Sequence, residues 1–226
     1  MILGGANSDG TLDAVWLVTA DGVRELQALP KPLEQMAWCC NGSTVYLAGG
    51  MSCGNPSLEV FKWENGQWST AAMLPRPLVQ GIACIEGGRL CVFGGFDPLA
   101  KEAVKGGYAI SLENGGITEL QADVTFVGSA ALDGFACGGC DADVFTHALN
   151  LPPEEVRDYQ LQPVEYYRFR AQLLSFGADG WSMVAEHPAL ARAGAALARW
   201  QDGLVSVGGE LKPGIRTPEA WMIKTE

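Results

Sequence analysis

The sequence predicts an all-β repeat protein, a β-propeller, because glycine pairs recur at a regular spacing and each one ends a short apolar run. The pairs begin at positions 4, 49, 94, 138 and 208; the first three intervals are 45, 45 and 44 residues, and the last is 70. A period of roughly 45–50 residues is typical of four-stranded propeller blades of the kelch kind. The content of 29 glycines and 12 prolines between short apolar runs supports the all-β class.

Each repeat follows the same order of elements. After the glycine pair come a polar loop and a strand with an aromatic residue, such as Trp16 or Phe61. A tight turn follows, and Asn65-Gly66 is strong hairpin chemistry because both residues tolerate positive φ. A third strand leads through a proline-containing crossover into a run of small residues, which suits the crowded innermost strand beside a propeller axis. These runs are 36–39, 81–84, 128–131 and 193–196.

The period divides one propeller domain, 1–226, into repeats. Their approximate bounds are 1–44, 45–89, 90–134, 135–203 and a partial fifth at 204–226. The fourth is longer because of an insertion at 141–170, in which Asn150 could cap the start of a helix with acidic residues in its first turn. The stretch 163–170 mixes charges with aromatic residues. It predicts either a functional loop on the scaffold or an aromatic segment packed over a blade edge.

Composition argues against several partners and locations. A net charge of −11 argues against binding to nucleic acid or to an anionic membrane. No apolar run reaches 18 residues, so no transmembrane helix is expected. The amino terminus enters a strand at once, without a visible secretory signal. Seven cysteines, an odd number, suggest reduced thiols and a cytoplasmic location, or a periplasmic one if an upstream signal is missing.

Cys137 and Cys140 have the CxxC spacing of redox and metal sites. Redox motifs of this spacing belong near a βαβ pattern, and no second CxxC completes a zinc site. The pair is therefore interpreted as small buried residues around a blade's glycine pair, and no metal site is predicted.

The most specific segment of the chain opens the fifth repeat and reads Val207-Gly-Gly-Glu-Leu-Lys-Pro-Gly-Ile-Arg-Thr-Pro218. It resembles the signature of the kelch-type sialic acid mutarotases, also called N-acetylneuraminate epimerases, especially their cyclically permuted branch. The insertion and the segments 32–36, 88–96 and 190–197 are similar to that family too. The resemblance implies a six-bladed isomerase that interconverts the α and β anomers of N-acetylneuraminate without a metal or organic cofactor.

The resemblance also implies a catalytic residue. In that family the glutamate directly after the glycine pair is the proposed proton acceptor, which corresponds to Glu210 here. A positioned carboxylate can move protons during ring opening and closure. Because the substrate carries a carboxylate, the site also needs a fixed cation, and arginine binds a carboxylate through two parallel hydrogen bonds.

Two arginines are candidates for that cation. Aligning the small-residue strands puts Gln35, Gln80, Val127 and Arg192 at one register, which predicts that Arg192 points into the central channel. Arg216 lies six residues beyond Glu210, in a Pro-Gly loop over the same region. Glu165 and Tyr167 in the insertion are further substrate-binding candidates that either close the pocket or merely pack.

Compared with full-length members of the family, the chain is expected to be truncated at its N-terminal side. About 4.5 blades of an expected six are present, which predicts an open arc, a tight ring of about five blades, or closure by a second molecule. An exposed strand edge invites pairing with another chain, so a homodimer through the blade edges is one expectation.

A non-catalytic propeller that binds a protein or a sugar, a truncated relic of the enzyme, is the alternative function. Mostly short, acidic loops and a signature near the axis favour the enzyme. A copper radical oxidase would need more histidines than His147 and His187. A sialidase would need several arginines around the carboxylate and a tyrosine nucleophile, and the chain has no aspartate-box repeat.

Overall fold

The computed structural model describes residues 1–224, and within them the chain forms five antiparallel sheets in succession, the blades of a propeller. The three central blades have four strands each. From the innermost strand outwards they are Ala37–Asn41, Thr44–Ala48, Glu59–Glu64 and Gln67–Met73 in blade 2; Ile82–Glu86, Arg89–Phe93, Lys105–Ser111 and Ile117–Thr125 in blade 3; and Ala130–Leu132, Phe135–Cys137, Gln172–Gly177 and Gly180–Glu186 in blade 4.

The two end blades have three described strands each. Blade 1 comprises Ile2–Leu3, Val15–Thr19 and Gly22–Glu25, and blade 5 comprises Ala196–Trp200, Gly203–Val207 and Ala220–Lys224. The predicted all-β propeller is thus confirmed. No helix between residues 1 and 224 is long and apolar enough to cross a bilayer.

A short hairpin follows the glycine pair in every blade except the fourth. The hairpins are Ala6–Asn7 with Gly10–Thr11, Met51–Ser52 with Asn55–Pro56, Phe96–Asp97 with Glu102–Ala103, and Glu210–Lys212 with Ile215–Arg216. In blade 4 the insertion takes this place. It contains the helices α1 (Ala142–Leu149) and α2 (Val156–Leu161) and the 3-10 turns Pro153–Glu155 and Val164–Tyr167. A third 3-10 turn, Pro188–Leu190, precedes blade 5.

The glycine pairs recur because they hold neighbouring blades together. The second glycine of a pair donates its N–H to a carbonyl at the start of the next blade, as Gly50 does to Leu78 at 2.9 Å. At Gly49, φ is +66° and a Cβ atom would lie 2.3 Å from the Leu78 carbonyl oxygen. A side chain is therefore excluded at this position by both conformation and contact.

Apolar clusters fill each space between consecutive blades. One joins blades 1 and 2 around Val15 and Phe61, and the next joins blades 2 and 3 around Val60 and Val92. Aromatic rings, including Phe93 stacked edge-on against Trp181, join blades 3 and 4, and a fourth cluster joins blades 4 and 5. Each blade is thus stabilised by burial against its neighbours.

The outward faces of the two end blades are mainly apolar and exposed, with one charged residue on each, Glu25 and Lys224. They carry Ile2, Trp16, Val18 and Val23 in blade 1, and Ala196, Ala198, Trp200, Val207 and Met222 in blade 5. Because these faces remain open to solvent, the described blades form an open arc, one of the three predicted arrangements.

Candidate functional site

A central cleft of about 780 Å3 opens where the innermost strands begin. Its wall combines residues from the starts of these strands in blades 2 to 5 with residues from the insertion and from the hairpin of blade 5. They are Gln35, Met36, Trp38, Gln80, Gly81, Ile82, Ala83, Gly128, Ser129, Ala131, Ala193 and Gly194 from the blades; Cys140, Val144, Phe145, Ala148, Tyr159, Tyr167 and Phe169 from the insertion and the residue before it; and Gly209, Glu210, Pro213 and Arg216. The cleft is therefore a site that several blades build together.

Glu210 is held at the cleft by the backbone of blade 5. Its N–H donates to the carbonyl of Ala193 at 2.7 Å, and its own carbonyl accepts from the Ala193 N–H at 3.0 Å. The residues after the other four described glycine pairs are Ala6, Met51, Phe96 and Cys140. Blade 5 is thus the blade, among residues 1–224, in which this fixed position carries a carboxylate.

Arg216 faces Glu210 across the blade 5 hairpin. The two residues are paired in the strand register, and Arg216 Nε lies 3.3 Å from Glu210 Oε1. The side chain of Arg216 is 82% exposed and that of Glu210 is 34% exposed. An ion pair this accessible contributes little to folding stability, so its charges are available to a ligand.

Cys140 adjoins this ion pair and is kept as a neutral thiol. Burial raises its pKa to about 12, and the nearby carboxylate of Glu210 acts in the same direction. Burial likewise raises the pKa of Cys137 to about 11, and both cysteines are free. In the part of the chain that the structure describes, no group of three or more His, Cys, Asp and Glu side chains is arranged to hold a metal ion.

The insertion lines the cleft with aromatic side chains, and it begins with a helix, α1, that was not predicted. Helix α1 starts after Asp141, whose carboxylate accepts the N–H groups of Asp143 and Val144 at 3.1 and 3.0 Å. Asn150, predicted as an N-cap, instead lies at the C-terminal end of this helix. The helical segment expected after Asn150 is present as the 3-10 turn Pro153–Glu155 and helix α2, with acidic residues in its first turn, but Pro152 precedes it in place of Asn150.

The two substrate-binding candidates in the insertion, Tyr167 and Glu165, differ in where they lie. Tyr167 is buried at the cleft wall, donates its hydroxyl proton to the carbonyl of Tyr159, and packs edge-on against the Tyr159 ring. Glu165 is exposed, on the outer side of the 3-10 turn Val164–Tyr167. Lys212, in the blade 5 hairpin, donates to the carbonyls of Gln160 and Gln162. It ties the Glu210 hairpin to the insertion.

Arg192 does not reach the channel, so this part of the predicted geometry needs correction. Its backbone carbonyl accepts the N–H of Gly139, as the carbonyls of Leu33, Leu78 and Phe126 do for the glycine pairs before them. Arg192 thus occupies the buried position of those apolar residues and is 2% exposed. The predicted register is two residues out here because the run 189–198 is mostly alanine and gives no unique alignment.

The guanidinium of Arg192 stabilises the loop that carries Glu210. It donates through Nη1 to the carbonyl of Gly208 at 3.0 Å and lies 3.3 Å, through Nη2, from a carboxylate oxygen of Glu219. Since Gly208 and Gly209 directly precede Glu210, Arg192 holds the loop that presents the carboxylate. Of the two predicted arginines, Arg216 is the one that lines the cleft together with Glu210.

Several cleft residues have no predicted role in the sequence. Gln35 and Gln80 line the cleft from the register position predicted to face the channel. Tyr159 and Phe169 line it from the insertion. The register alignment already contains both glutamines at the predicted inward position. Their shared register position is therefore the sequence signal that could have identified them as site residues.

Comparison with known proteins identifies relatives of the chain. It is 26% identical to the N-acetylneuraminate epimerase of Escherichia coli K12, over 92% of this chain and 63% of that protein. It is 26% identical to the N-acetylneuraminate epimerase of Shigella flexneri serotype 5b, over 85% of this chain and 58% of the relative. The chain is similar in sequence to the N-acetylneuraminate epimerases. The resemblance to that family is therefore confirmed, and the chain spans less than two thirds of the length of these epimerases.

The fold comparison agrees with the sequence relationship to the N-acetylneuraminate epimerases. The solved structure of YjhT superposes with a TM-score of 0.75 over 88% of this chain and 65% of YjhT, at 22% identity. At that identity the match supports the propeller fold. No protein-family model matches the chain.

Proposed function

We propose that the chain is a sialic acid mutarotase that interconverts the α and β anomers of N-acetylneuraminate. The observation that carries the proposal is the ion pair of Glu210 and Arg216 at the central cleft, on the segment with the most specific resemblance to the family. The names of the relatives support the substrate and the class of reaction. The reaction breaks and re-forms one carbon–oxygen bond with proton transfers and no change of oxidation state, so the proposal includes no metal or organic cofactor.

Glu210 is the proposed base. Its carboxylate takes the proton of the anomeric hydroxyl, the bond between the anomeric carbon and the ring oxygen breaks, and water in the open cleft protonates the ring oxygen. The product is the open-chain ketone. On reclosure the hydroxyl formed from the ring oxygen loses its proton to water and attacks the other face of the ketone, and protonated Glu210 returns a proton to the carbonyl oxygen. General acid–base assistance of this kind contributes about 10²–10⁴-fold to a rate.

Arg216 is the proposed partner of the substrate carboxylate. Among the described residues its guanidinium bonds to Glu210 through Nε, which leaves the two terminal Nη groups for a ligand. A guanidinium edge matches a carboxylate through two parallel hydrogen bonds. This arrangement would hold the carboxylate-bearing anomeric carbon beside Glu210. Tyr167 would close the wall around the sugar, whereas the exposed position of Glu165 favours a place at the rim.

The first test follows the anomers directly. Proton NMR of α-N-acetylneuraminate, released in situ by a sialidase, is recorded with and without the purified chain. We expect faster approach to the β anomer, and loss of that acceleration in Glu210→Gln. Glu102→Gln is the matched control, because Glu102 also pairs with an arginine, Arg76, on a short hairpin after a glycine pair. Acceleration that survives Glu210→Gln places the base elsewhere, and a folded wild-type chain without acceleration overturns the mutarotase.

A scaffold that binds protein or sugar without catalysis is the second candidate. The observation in its favour is the pair of exposed apolar end faces, because patches of this kind mark interaction surfaces. Binding of N-acetylneuraminate without acceleration would support this candidate over the enzyme.

A further inference from the structure

Four residues with left-handed backbone conformation, one from each of blades 2 to 5, link these blades around the cleft. Gln35, Gln80, Gly128 and Gly194 have φ values of +56°, +59°, +64° and +63°. Each of the last three donates its backbone N–H to the carbonyl of the one before, at 2.9, 3.0 and 2.7 Å. We call this set the inner ring. All four residues line the cleft.

Two positions of the inner ring carry glutamine, although glycine would adopt the same positive φ without strain. The left-handed conformation costs free energy for any residue with a Cβ atom, and such residues cluster at ligand sites. The backbone hydrogen bonds of the ring do not require a glutamine, because Gly128 and Gly194 make the same bonds. The side chains are therefore the features that distinguish blades 2 and 3 at the cleft.

The two glutamines form an amide pair. Gln80 Nε2 donates to Gln35 Oε1 at 2.8 Å. Gln80 Oε1 lies beside Gly128, where a Cβ atom would approach it to 3.6 Å, and nothing comes within 4 Å of a Cβ atom built on Gly194. The pair thus faces open space on the glycine side of the inner ring, towards blade 5.

The amide pair leaves a donor and an acceptor unused. Within residues 1–224, the Nε2 group of Gln35 and the Oε1 atom of Gln80 have no hydrogen-bond partner beyond the pair. A secondary amide presents one acceptor and one donor on neighbouring atoms, which complements this arrangement. Met36 and Trp38 line the same part of the wall and offer apolar surface for a methyl group. The Glu210–Arg216 ion pair belongs to blade 5, so the charged and neutral polar groups lie on different blades.

We propose that the Gln35–Gln80 pair is the subsite for the acetamido substituent of the sugar acid, and hence a determinant of specificity. This inference rests on the proposed function, since it takes the sugar to be N-acetylneuraminate. The ion pair would bind the carboxylate end of the molecule, and the amide pair would select among sugar acids by the group they carry in place of acetamide.

The test replaces each glutamine by the residue that the inner ring already uses. Gln35→Gly and Gln80→Gly keep the backbone hydrogen bonds and relieve the positive φ, so both variants should fold. Gln201→Gly is the matched control, because Gln201 is also left-handed, φ +53°, but lies in an exposed turn of blade 5. Binding of N-acetylneuraminate is measured by calorimetry, together with the analogous nine-carbon acid that has a hydroxyl in place of the acetamido group.

We expect the two glycine variants to bind N-acetylneuraminate about tenfold more weakly and the hydroxyl analogue with unchanged affinity, since net hydrogen bonds contribute about this factor. Equal losses for both sugars, or no loss, overturn the subsite. If the wild type binds N-acetylneuraminate without accelerating anomer exchange, the proposed mutarotase activity is wrong, and the binding comparison still tests the acetamido subsite. A wild-type chain that binds neither sugar overturns both proposals.

Discussion

The guanidinium of Arg192 donates a hydrogen bond of 3.0 Å to the carbonyl of Gly208, two residues before Glu210. A buried arginine thus lies behind the carboxylate at the cleft, whereas the equivalent positions of blades 2 and 3 have leucine. Because its charge is directed away from the cleft, Arg192 can position Glu210 without touching a ligand.

Arg192→Leu should destabilise the fold and disturb the site without changing selectivity for charge. The substitution leaves the Gly208 carbonyl without its side-chain partner, which costs about 1–3 kcal/mol for a buried acceptor. Urea unfolding measures the loss, and Leu78→Met serves as a control for packing at the same register. Binding of the sugar acid and of its methyl ester should fall alike. A selective loss for the acid would instead make Arg192 a direct partner of the carboxylate.

Arg216→Ala should weaken binding of N-acetylneuraminate more than binding of its methyl ester. The ester keeps the sugar but lacks the negative charge, so it gains less from the guanidinium. Charge-assisted hydrogen bonds contribute about 1.5–3 kcal/mol, or roughly 10- to 150-fold in affinity for the acid. Calorimetric titration with both ligands gives the comparison. Arg216→Lys should recover only part of the affinity, because an ammonium group lacks the two-pronged geometry.

Glu59 should contribute to stability at neutral pH but not in acid. Lys31, at 2.6 Å, is the main cause that lowers the pKa of this carboxyl from 4.5 to about 2. A lowered pKa in the folded state gives stability that is complete above about pH 4.5 and is lost as the pH falls towards 2. Urea unfolding of Glu59→Gln, Lys31→Met and the double variant should show coupling of about 1–2 kcal/mol at neutral pH. Coupling that persists at pH 2 would contradict this account.

The exposed end faces predict self-association. Trp200 in blade 5 is 56% exposed and Val18 in blade 1 is 52% exposed, on sheet faces that are mainly apolar. Burial of such faces against a second copy would remove apolar surface from water. Sedimentation velocity over a wide concentration range should detect dimers, and Trp200→Lys or Val18→Lys should suppress them. Met183→Lys, at an exposed methionine of blade 4, is the control. A monomer at all concentrations would contradict the homodimer.

The sequence by itself determined the repeating elements and the position of Glu210, because both follow from local chemistry. Glycine at Gly49 is required by positive φ and by a backbone contact, and Asn65-Gly66 forms a turn with φ values of +52° and +81°. The positive φ of the glycine pair recurs in all five described blades and can be read along the chain. The tertiary structure alone decided which residues meet at the cleft. It fixed the register that buries Arg192, placed Asn150 at the end of helix α1 and not at the start of a helix, and brought Gln35 and Gln80 together from neighbouring blades. These outcomes depend on the packing of the folded chain and cannot be read from one segment alone.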